Sequence, residues 1–186
     1  MLSKYKPIII FLAIVVVIGA AAFAYPKLSE MYSRDAQSQE TSSDQSSRIQ
    51  APDFKVYDYD GKEVLLSTYF GKPIVLNFWA SWCPPCKAEM PTFNAVYQDV
   101  KDDVQFLMVD LVDGQRETEA KGKAYIEEQG FTFPVLFDTD GAAGYMYQVS
   151  SIPTTFFIDK DGYVVDYHQG MMDAIQLQSG IDGISD

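Results

Sequence analysis

The sequence predicts an α/β domain with a mixed central β-sheet flanked by helices, preceded by an apolar amino-terminal segment. Two patterns lead to this class. Strand-like apolar runs alternate with helical stretches, as in parallel strands joined by helices, whereas a tight turn separates the last two strand-like runs. An uncharged run near the amino terminus matches a bilayer in length. We expect a membrane or signal segment at 1–28, a flexible linker at 29–50 and one domain at 51–186.

The apolar segment is the run of residues 7–26, which follows Lys4 and Lys6. At about 1.5 Å per residue a helix of this length crosses about 30 Å of hydrocarbon, and the preceding lysines favour a cytoplasmic amino terminus. We therefore expect a single-pass transmembrane helix in a bacterial cytoplasmic membrane, with the domain on the extracytoplasmic side. A cleaved signal peptide is the alternative, because residues 22–24 (Ala-Phe-Ala) have the small-x-small form of a cleavage site. Both interpretations export the domain.

Residues 29–50 are rich in Ser, Gln, Asp, Glu and Thr. They contain too few apolar side chains to offset the entropy of ordering, so we expect a flexible tether. The whole chain has a formal net charge of −12. Because nucleic-acid binding requires basic surfaces that neutralise phosphates, this charge argues against a nucleic-acid partner.

The first half of the domain predicts a hairpin, a buried strand and a helix. Two short strands, 54–57 and 64–66, flank the turn signal Asp60-Gly61 and form an N-terminal β-hairpin. The apolar run 74–80 (IVLNFWA) lacks period-2 alternation, as expected of a central strand buried on both faces. A helix is expected to start near Cys83 and to continue toward residue 100.

The second half continues the alternation and ends with an antiparallel pair of strands. A Gly at position 130 ends the helix predicted at 117–129. The turn at Asp161-Gly162 separates the last two strands. The predicted elements are strands at 104–111, 154–159 and 163–167, and helices at 117–129, 142–147 and 172–179.

The motif Trp82-Cys83-Pro84-Pro85-Cys86 lies where the buried strand passes into a helix. Unpaired N–H groups and the macrodipole at a helix amino terminus favour an anion and lower the pKa of a thiol there. Cys83 is therefore the predicted nucleophile and the more exposed sulfur, and Cys86, one turn later, is the predicted resolving thiol. Pro84 and Pro85 fit the first helical turn, where a missing N–H costs little, and they stiffen the loop.

A metal site is not expected from the ligand types in the chain. Apart from its two cysteines the chain has one histidine, His168. Structural zinc usually requires four Cys or His ligands, so we predict neither a metal nor another cofactor.

Residues 74–91 (IVLNFWASWCPPCKAEMP) resemble the active-site segment of the thioredoxin superfamily, most closely its membrane-tethered TlpA/ResA branch of bacterial thiol-disulfide oxidoreductases. The resemblance extends from about residue 51 to the end and implies a thioredoxin-like fold with a TlpA/ResA-type insertion at 117–130. It identifies Ile152-Pro153-Thr154 as the cis-proline loop opposite the cysteines. From the residues alone, a trans bond before Pro153 is also possible.

The resemblance also implies site roles. It implies that extended client polypeptide binds beside Cys83, with the substrate-binding residues Trp82, Pro84, Pro85, Ile152 and Pro153. Glu89, three residues after Cys86, matches the glutamate of the ResA-like group; a partly buried carboxylate there would have a raised pKa and could exchange a proton with the cysteines. A solvated helix glutamate is the alternative. Asn77 stands where cytoplasmic thioredoxins carry a buried carboxylate, and it could equally be a hydrogen-bonded core amide.

The functional expectation is an extracytoplasmic protein-disulfide reductase with a redox-active Cys83/Cys86 pair. By resemblance, clients could be apocytochrome c during cytochrome c maturation, or an exported methionine sulfoxide reductase, and a membrane thiol-electron carrier of the CcdA or DsbD type would recharge the pair. A disulfide-forming oxidase in the direction of DsbA remains open, because the sequence does not fix the stability of the Cys83 thiolate. A tethered chaperone or binding module without redox turnover is the third hypothesis.

Overall fold

Eight strands form one mixed sheet in the computed structural model, which describes residues 48–185. Strands β4 (Ile74–Trp79) and β5 (Gln105–Leu111) are parallel, and β7 (Thr154–Ile158) and β8 (Tyr163–Gln169) are antiparallel, as the sequence predicted. A further parallel strand, β6 (Val135–Asp138), was not predicted. The predicted N-terminal hairpin is also confirmed and lies at one edge of the sheet. In the order β1-β8-β7-β4-β5-β6-β2-β3, the strands are Ile49–Gln50, Tyr163–Gln169, Thr154–Ile158, Ile74–Trp79, Gln105–Leu111, Val135–Asp138, Lys55–Tyr57 and Glu63–Leu65.

Helices pack against this sheet. Cys83 caps the first helix, Thr118 caps the second through the Lys121 N–H, and a capping box of Asp173 and Gln176 begins the last one. Gly130, in the left-handed conformation, ends the second helix as predicted. The helices are α1 Pro84–Val100, α2 Glu119–Gln129, α3 Ala142–Met146 and α4 Ala174–Ile184, with a 3-10 helix at Leu66–Tyr69.

Strand β4 lies at the centre of the sheet, between β5 and β7, and all of its residues are buried. Val75 and Trp79 belong to the apolar cluster that contains both cysteines and residues of α1, α2 and α4. Ile74, Leu76 and Phe78 belong to a second cluster that includes residues of the hairpin and of α3. The absence of alternation in the sequence thus reflects burial on both faces, as predicted.

Strand β1 lies in the last residues of the segment that the sequence predicted as a linker. Ile49 pairs with Val164 of β8, and Arg48 forms an ion pair with Asp159. The Arg48 guanidinium also lies 4.5 Å from the ring centroid of Tyr163. Residues 48–50, which the sequence assigned to the linker, therefore take part in the described fold. A two-residue edge strand has no hydrophobic period, so only its pairing with β8 reveals it.

Two predicted helix boundaries need correction. Helix α2 begins at Glu119 rather than at residue 117, because the N–H of Glu117 donates to Asp113 and Thr118 is the cap. The last helix begins at residue 174 and ends at residue 184, rather than running from 172 to 179. Gly180 lies inside α4, and the helix passes so close to the Phe157 ring at this point that a side chain would not fit.

The predicted amino-terminal membrane or signal segment and nearly all of the predicted linker lie outside the described residues. Across residues 48–185, no helix combines the length and the apolar character that crossing a membrane requires.

Substituting Gly180 by alanine is expected to lower the free energy of unfolding by about 2 kcal/mol, because the new methyl group would collide with the buried Phe157 ring. Gly183→Ala is the matched control in the same helix, since open space surrounds Gly183 and alanine favours the helical backbone. Urea denaturation of both variants would measure the difference. Equal stability of the two variants would contradict the close packing at Gly180.

Candidate active site

Cys83 and Cys86 form a disulfide at the amino terminus of α1. Cys83 has the extended backbone of an N-cap residue, and the N–H of Cys86 donates to its Sγ over 3.3 Å. Cys83 exposes 2% of its surface and Cys86 none. Cys83 is therefore the more exposed of the two, as predicted, but both residues are buried in the oxidised state. A thiolate at Cys83 would receive this N–H and the field of the helix.

The loop that precedes β7 lies directly against Cys83. The peptide bond between Ile152 and Pro153 is cis, as the resemblance implied. The Sγ of Cys83 lies 3.6 Å from the carbonyl oxygen of Ile152. Because the Pro153 carbonyl accepts the Gly170 N–H at 2.8 Å and the Thr154 hydroxyl donates to the Ser151 carbonyl at 2.8 Å, both sides of this loop are tied down.

The two tryptophans near the cysteines lie in different environments. Trp79 is fully buried at the end of β4, whereas Trp82 exposes 40% of its surface. Pro84 and Pro85 are exposed, Ile152 is half-buried and Pro153 is buried. The structure therefore leaves Trp82, Pro84 and Pro85 accessible around the disulfide, whereas their contacts with a client remain a prediction.

Glu89 is buried on α1, one turn after Cys86. One carboxylate oxygen accepts the Asn77 amide at 2.9 Å and the other accepts the Met172 N–H at 3.0 Å. Burial nevertheless raises the pKa of Glu89 to about 7, and these two hydrogen bonds oppose the rise. Glu89 is thus the buried carboxylate with a raised pKa that the sequence anticipated, rather than a solvated one. Its proton transfer with the cysteines remains a prediction.

Asn77 is a buried amide with partial hydrogen bonding. Its amide nitrogen donates to Glu89 and, at 3.0 Å, to the Thr155 hydroxyl, whereas its carbonyl oxygen has no partner among the described residues. Asn77 therefore connects the central strand β4 to the Glu89 carboxylate.

A second buried carboxylate, Asp110, was not identified from the sequence. It lies on β5 beside Trp79, it is fully buried, and neither of its oxygens has a hydrogen-bond partner among residues 48–185. Burial raises the pKa of Asp110 to about 8, and the nearby charge of Glu117 raises it further. The signal was present, because an acidic residue in the apolar run VQFLMVDL is unexpected.

The segment of residues 113–118 also touches the active-site loop, and sequence reasoning assigned it no role. Glu117 is fully buried, and its carboxylate accepts hydrogen bonds from Ser81. Arg116 places its guanidinium 3.5 Å from the ring centroid of Trp82. No local pattern indicates either contact, since both partners are more than thirty residues away.

A redox-active Cys-x-x-Cys pair at the start of a helix, following the central strand of a mixed sheet and opposed by a cis-proline loop, is shared by thioredoxin-like proteins. The protein is accordingly a thiol-disulfide oxidoreductase with a thioredoxin-like fold. More particularly, the chain belongs to the AhpC/TSA family, whose sequence profile matches residues 48–167.

Individual relatives agree with this class. The chain is 36% identical over 137 residues to the thiol-disulfide oxidoreductase ResA of Bacillus thuringiensis subsp. konkukian (strain 97-27), covering 73% of this chain and 77% of ResA. It is 33% identical over 133 residues to the thioredoxin-like protein YneN of Bacillus subtilis (strain 168), covering 72% and 77%. The crystal structure of the exposed lipoprotein thioredoxin of Streptococcus pneumoniae strain TIGR4 superposes with a TM-score of 0.62 at 36% identity, covering 70% of this chain and 99% of that one.

Proposed function

We propose that the protein reduces disulfide bonds in exported client proteins on the outer side of the bacterial cytoplasmic membrane. The Cys83 thiolate attacks one sulfur of a client disulfide, which forms a mixed disulfide and releases one client thiolate. The Cys86 thiolate then attacks the Cys83 sulfur, closes the Cys83–Cys86 disulfide and releases the second client thiolate. Two electrons pass to the client, and solvent protons neutralise its thiolates.

The observation that carries the reducing direction is the surroundings of the Cys83 sulfur. One N–H donates to it, but the Ile152 carbonyl oxygen lies 3.6 Å from it and would repel a thiolate. Two basic side chains of this region lie over aromatic rings, Lys87 over Tyr125 and Arg116 over Trp82, and neither is among the hydrogen-bond partners of the sulfur. A thiolate with modest stabilisation favours the oxidised enzyme and hence a reductant, whereas a strongly stabilised thiolate is typical of an oxidase.

Two observations support export of the domain, one from the sequence and one from a similar protein. The apolar run at residues 7–26 supports a membrane anchor or a signal peptide. The pneumococcal structure carries the name of an exposed lipoprotein. A membrane-impermeant maleimide added to intact cells should label the reduced cysteine pair if the domain is exported, and labelling only after lysis would contradict it.

A membrane thiol-electron carrier of the CcdA or DsbD type would return the pair to the reduced state, because exported proteins lack direct access to cytoplasmic reductants. Apocytochrome c and an exported methionine sulfoxide reductase are the client classes that the ResA-like resemblance supports.

The midpoint potential of the Cys83/Cys86 couple is expected to lie at or below about −220 mV, which is toward the reducing end of thioredoxin-like proteins. Equilibration of the domain, residues 48–186, in glutathione and dithiothreitol buffers would measure it. A value near −120 mV would instead assign a disulfide-forming oxidase.

Replacing Cys86 by alanine is expected to trap clients, because the mixed disulfide at Cys83 then has no resolving thiol. Non-reducing electrophoresis of cells that express Cys86→Ala should show adducts that dithiothreitol releases. The double variant Cys83→Ala/Cys86→Ala is the control and should form none. No adducts in Cys86→Ala, together with full cellular function in the double variant, would support a non-redox binding module instead.

A further inference from the structure

The turn that joins β4 to α1 determines where Cys83 lies. The Cys83 N–H donates to the Ala80 carbonyl at 3.1 Å, so Ser81 and Trp82 are the two residues between the ends of this turn. Both are held from outside the turn. Glu117 accepts the Ser81 N–H at 2.7 Å and the Ser81 hydroxyl at 2.7 Å, and Arg116 covers the Trp82 ring.

The segment that makes these contacts, residues 113–118, is itself fixed. The Asp113 carboxylate accepts the N–H groups of Gln115 at 2.8 Å and of Glu117 at 2.9 Å, and the Gly114 N–H donates to the Glu117 carbonyl. The ammonium group of Lys121 donates to the Gln115 and Arg116 carbonyls. A segment with this many local hydrogen bonds offers Ser81 and Trp82 a preorganised support.

The burial of Glu117 indicates that this support has a role. A fully buried carboxylate is costly unless hydrogen bonds compensate it, and much of the compensation here comes from Ser81, which is two residues before the nucleophile. A small shift at the attacking atom costs a large factor in rate, so residues that fix this turn bear directly on exchange.

We propose that Glu117 and Arg116 are positioning residues for disulfide exchange: by holding Ser81 and Trp82, they keep the Cys83 sulfur at the amino terminus of α1, where it accepts the Cys86 N–H. The inference rests on the exchange chemistry of the proposed function but not on its direction. The proposal assigns a function to the loop before α2, namely to hold the turn between β4 and α1 in place.

Glu117→Ala is expected to raise the pKa of the Cys83 thiol and to slow the reaction of the reduced protein with glutathione disulfide at pH 7 by about tenfold, because a smaller thiolate fraction and a displaced sulfur both lower the rate. The full chain in detergent would be titrated by the ultraviolet absorbance of the thiolate, and the exchange rate measured by stopped flow. Unchanged pKa and rate in a folded Glu117→Ala protein would overturn the proposal.

The chain provides a matched control. Asp53 also accepts an N–H and a hydroxyl from a single serine, Ser67, at 2.9 and 2.8 Å, but in the N-terminal hairpin region. Asp53→Ala is expected to leave the thiol pKa and the exchange rate unchanged. An equal loss in Asp53→Ala would show that loosening any part of the fold suffices, which would also overturn the proposal.

Arg116 supplies a second test that does not depend on a buried residue, because its side chain is exposed and its removal should not prevent folding. Arg116→Ala is expected to slow exchange by about threefold, and Arg116→Lys, which keeps a cation above the Trp82 ring, should restore part of the loss. Equal rates in all three proteins would contradict the role of Arg116. The wild-type midpoint potential separately tests the proposed direction, so the two failures are distinguishable.

Discussion

Replacing Asp110 by asparagine is expected to raise the free energy of unfolding above pH 8 by about 3 to 5 kcal/mol. The carboxylate is fully buried in β5, and both oxygens lack partners among the described residues. Asparagine has nearly the same shape, which matters because α2 approaches Asp110 so closely at Gly122 that no side chain fits there. The substitution therefore removes a buried ionisable group without creating a cavity.

The pH dependence gives the sign of this effect. In the unfolded chain an aspartate ionises near pH 3.8, whereas burial, followed by the charges of Glu117, Asp113 and Glu119, raises the pKa of folded Asp110 to about 8. Between these values the folded state binds more protons than the unfolded state, so stability falls as the pH rises, by about 1.4 kcal/mol per unit. The loss of stability caused by ionisation of Asp110 is absent well below pH 3.8 and complete above pH 8.

Urea denaturation of the oxidised domain, residues 48–186, at pH 5 and pH 8 would measure the effect. The gain from Asp110→Asn should be larger at pH 8 than at pH 5. Asp99→Asn, at an exposed position on α1, is the control and should change stability by less than about 0.5 kcal/mol at both values. A gain independent of pH would show that ionisation of Asp110 is not the cause, and a loss would show that its carboxylate is stabilising.

Replacing Glu89 by glutamine is expected to slow client disulfide reduction by about 10- to 100-fold while stabilising the folded protein. We expect Glu89 to serve the second step of the proposed cycle by accepting the proton of Cys86, which leaves the thiolate that attacks the mixed disulfide. Burial raises the pKa of Glu89 to about 7, so the resolving step of the wild type should accelerate as the pH rises through 7. The glutamine variant cannot accept the proton and should lose this inflection.

Stability moves in the opposite direction, which separates a catalytic role from a structural one. Because the folded pKa of Glu89 is raised from 4.5 to about 7, its ionisation destabilises the protein progressively between these values and fully above pH 7. Glutamine removes this penalty and retains an oxygen that can accept the Asn77 amide or the Met172 N–H. A variant that is more stable but slower would support proton transfer.

Single-turnover reduction of a model disulfide between pH 5.5 and 8.5 would measure the rates, with the mixed disulfide quantified by acid quenching. Glu128→Gln, an exposed position on α2, is the control and should keep the wild-type profile. If Glu89→Gln kept the inflection near pH 7, another group would be responsible for it, and Glu89 would have no part in the proposed cycle.

The sequence alone was sufficient for the features that depend on local pattern and motif. The apolar run 74–80 predicted a strand buried on both faces, and β4 is fully buried between two neighbours. The position of Cys83 at a helix start followed from one motif, and the resemblance correctly implied a cis bond before Pro153. These features depend on residues that are close in the chain, where period, capping and turn preferences act directly.

Contacts between distant residues were decided only by the tertiary structure. Strand β1 exists because Ile49 meets β8 more than a hundred residues later, and Glu117 reaches Ser81 across thirty-six positions. The sequence named Glu89 from a resemblance, but the fold determined that the Asn77 amide and the Met172 N–H would surround it in a buried site. Burial and the partners of a charge determine its pKa and its chemistry, and both are properties of the packed chain rather than of any local segment.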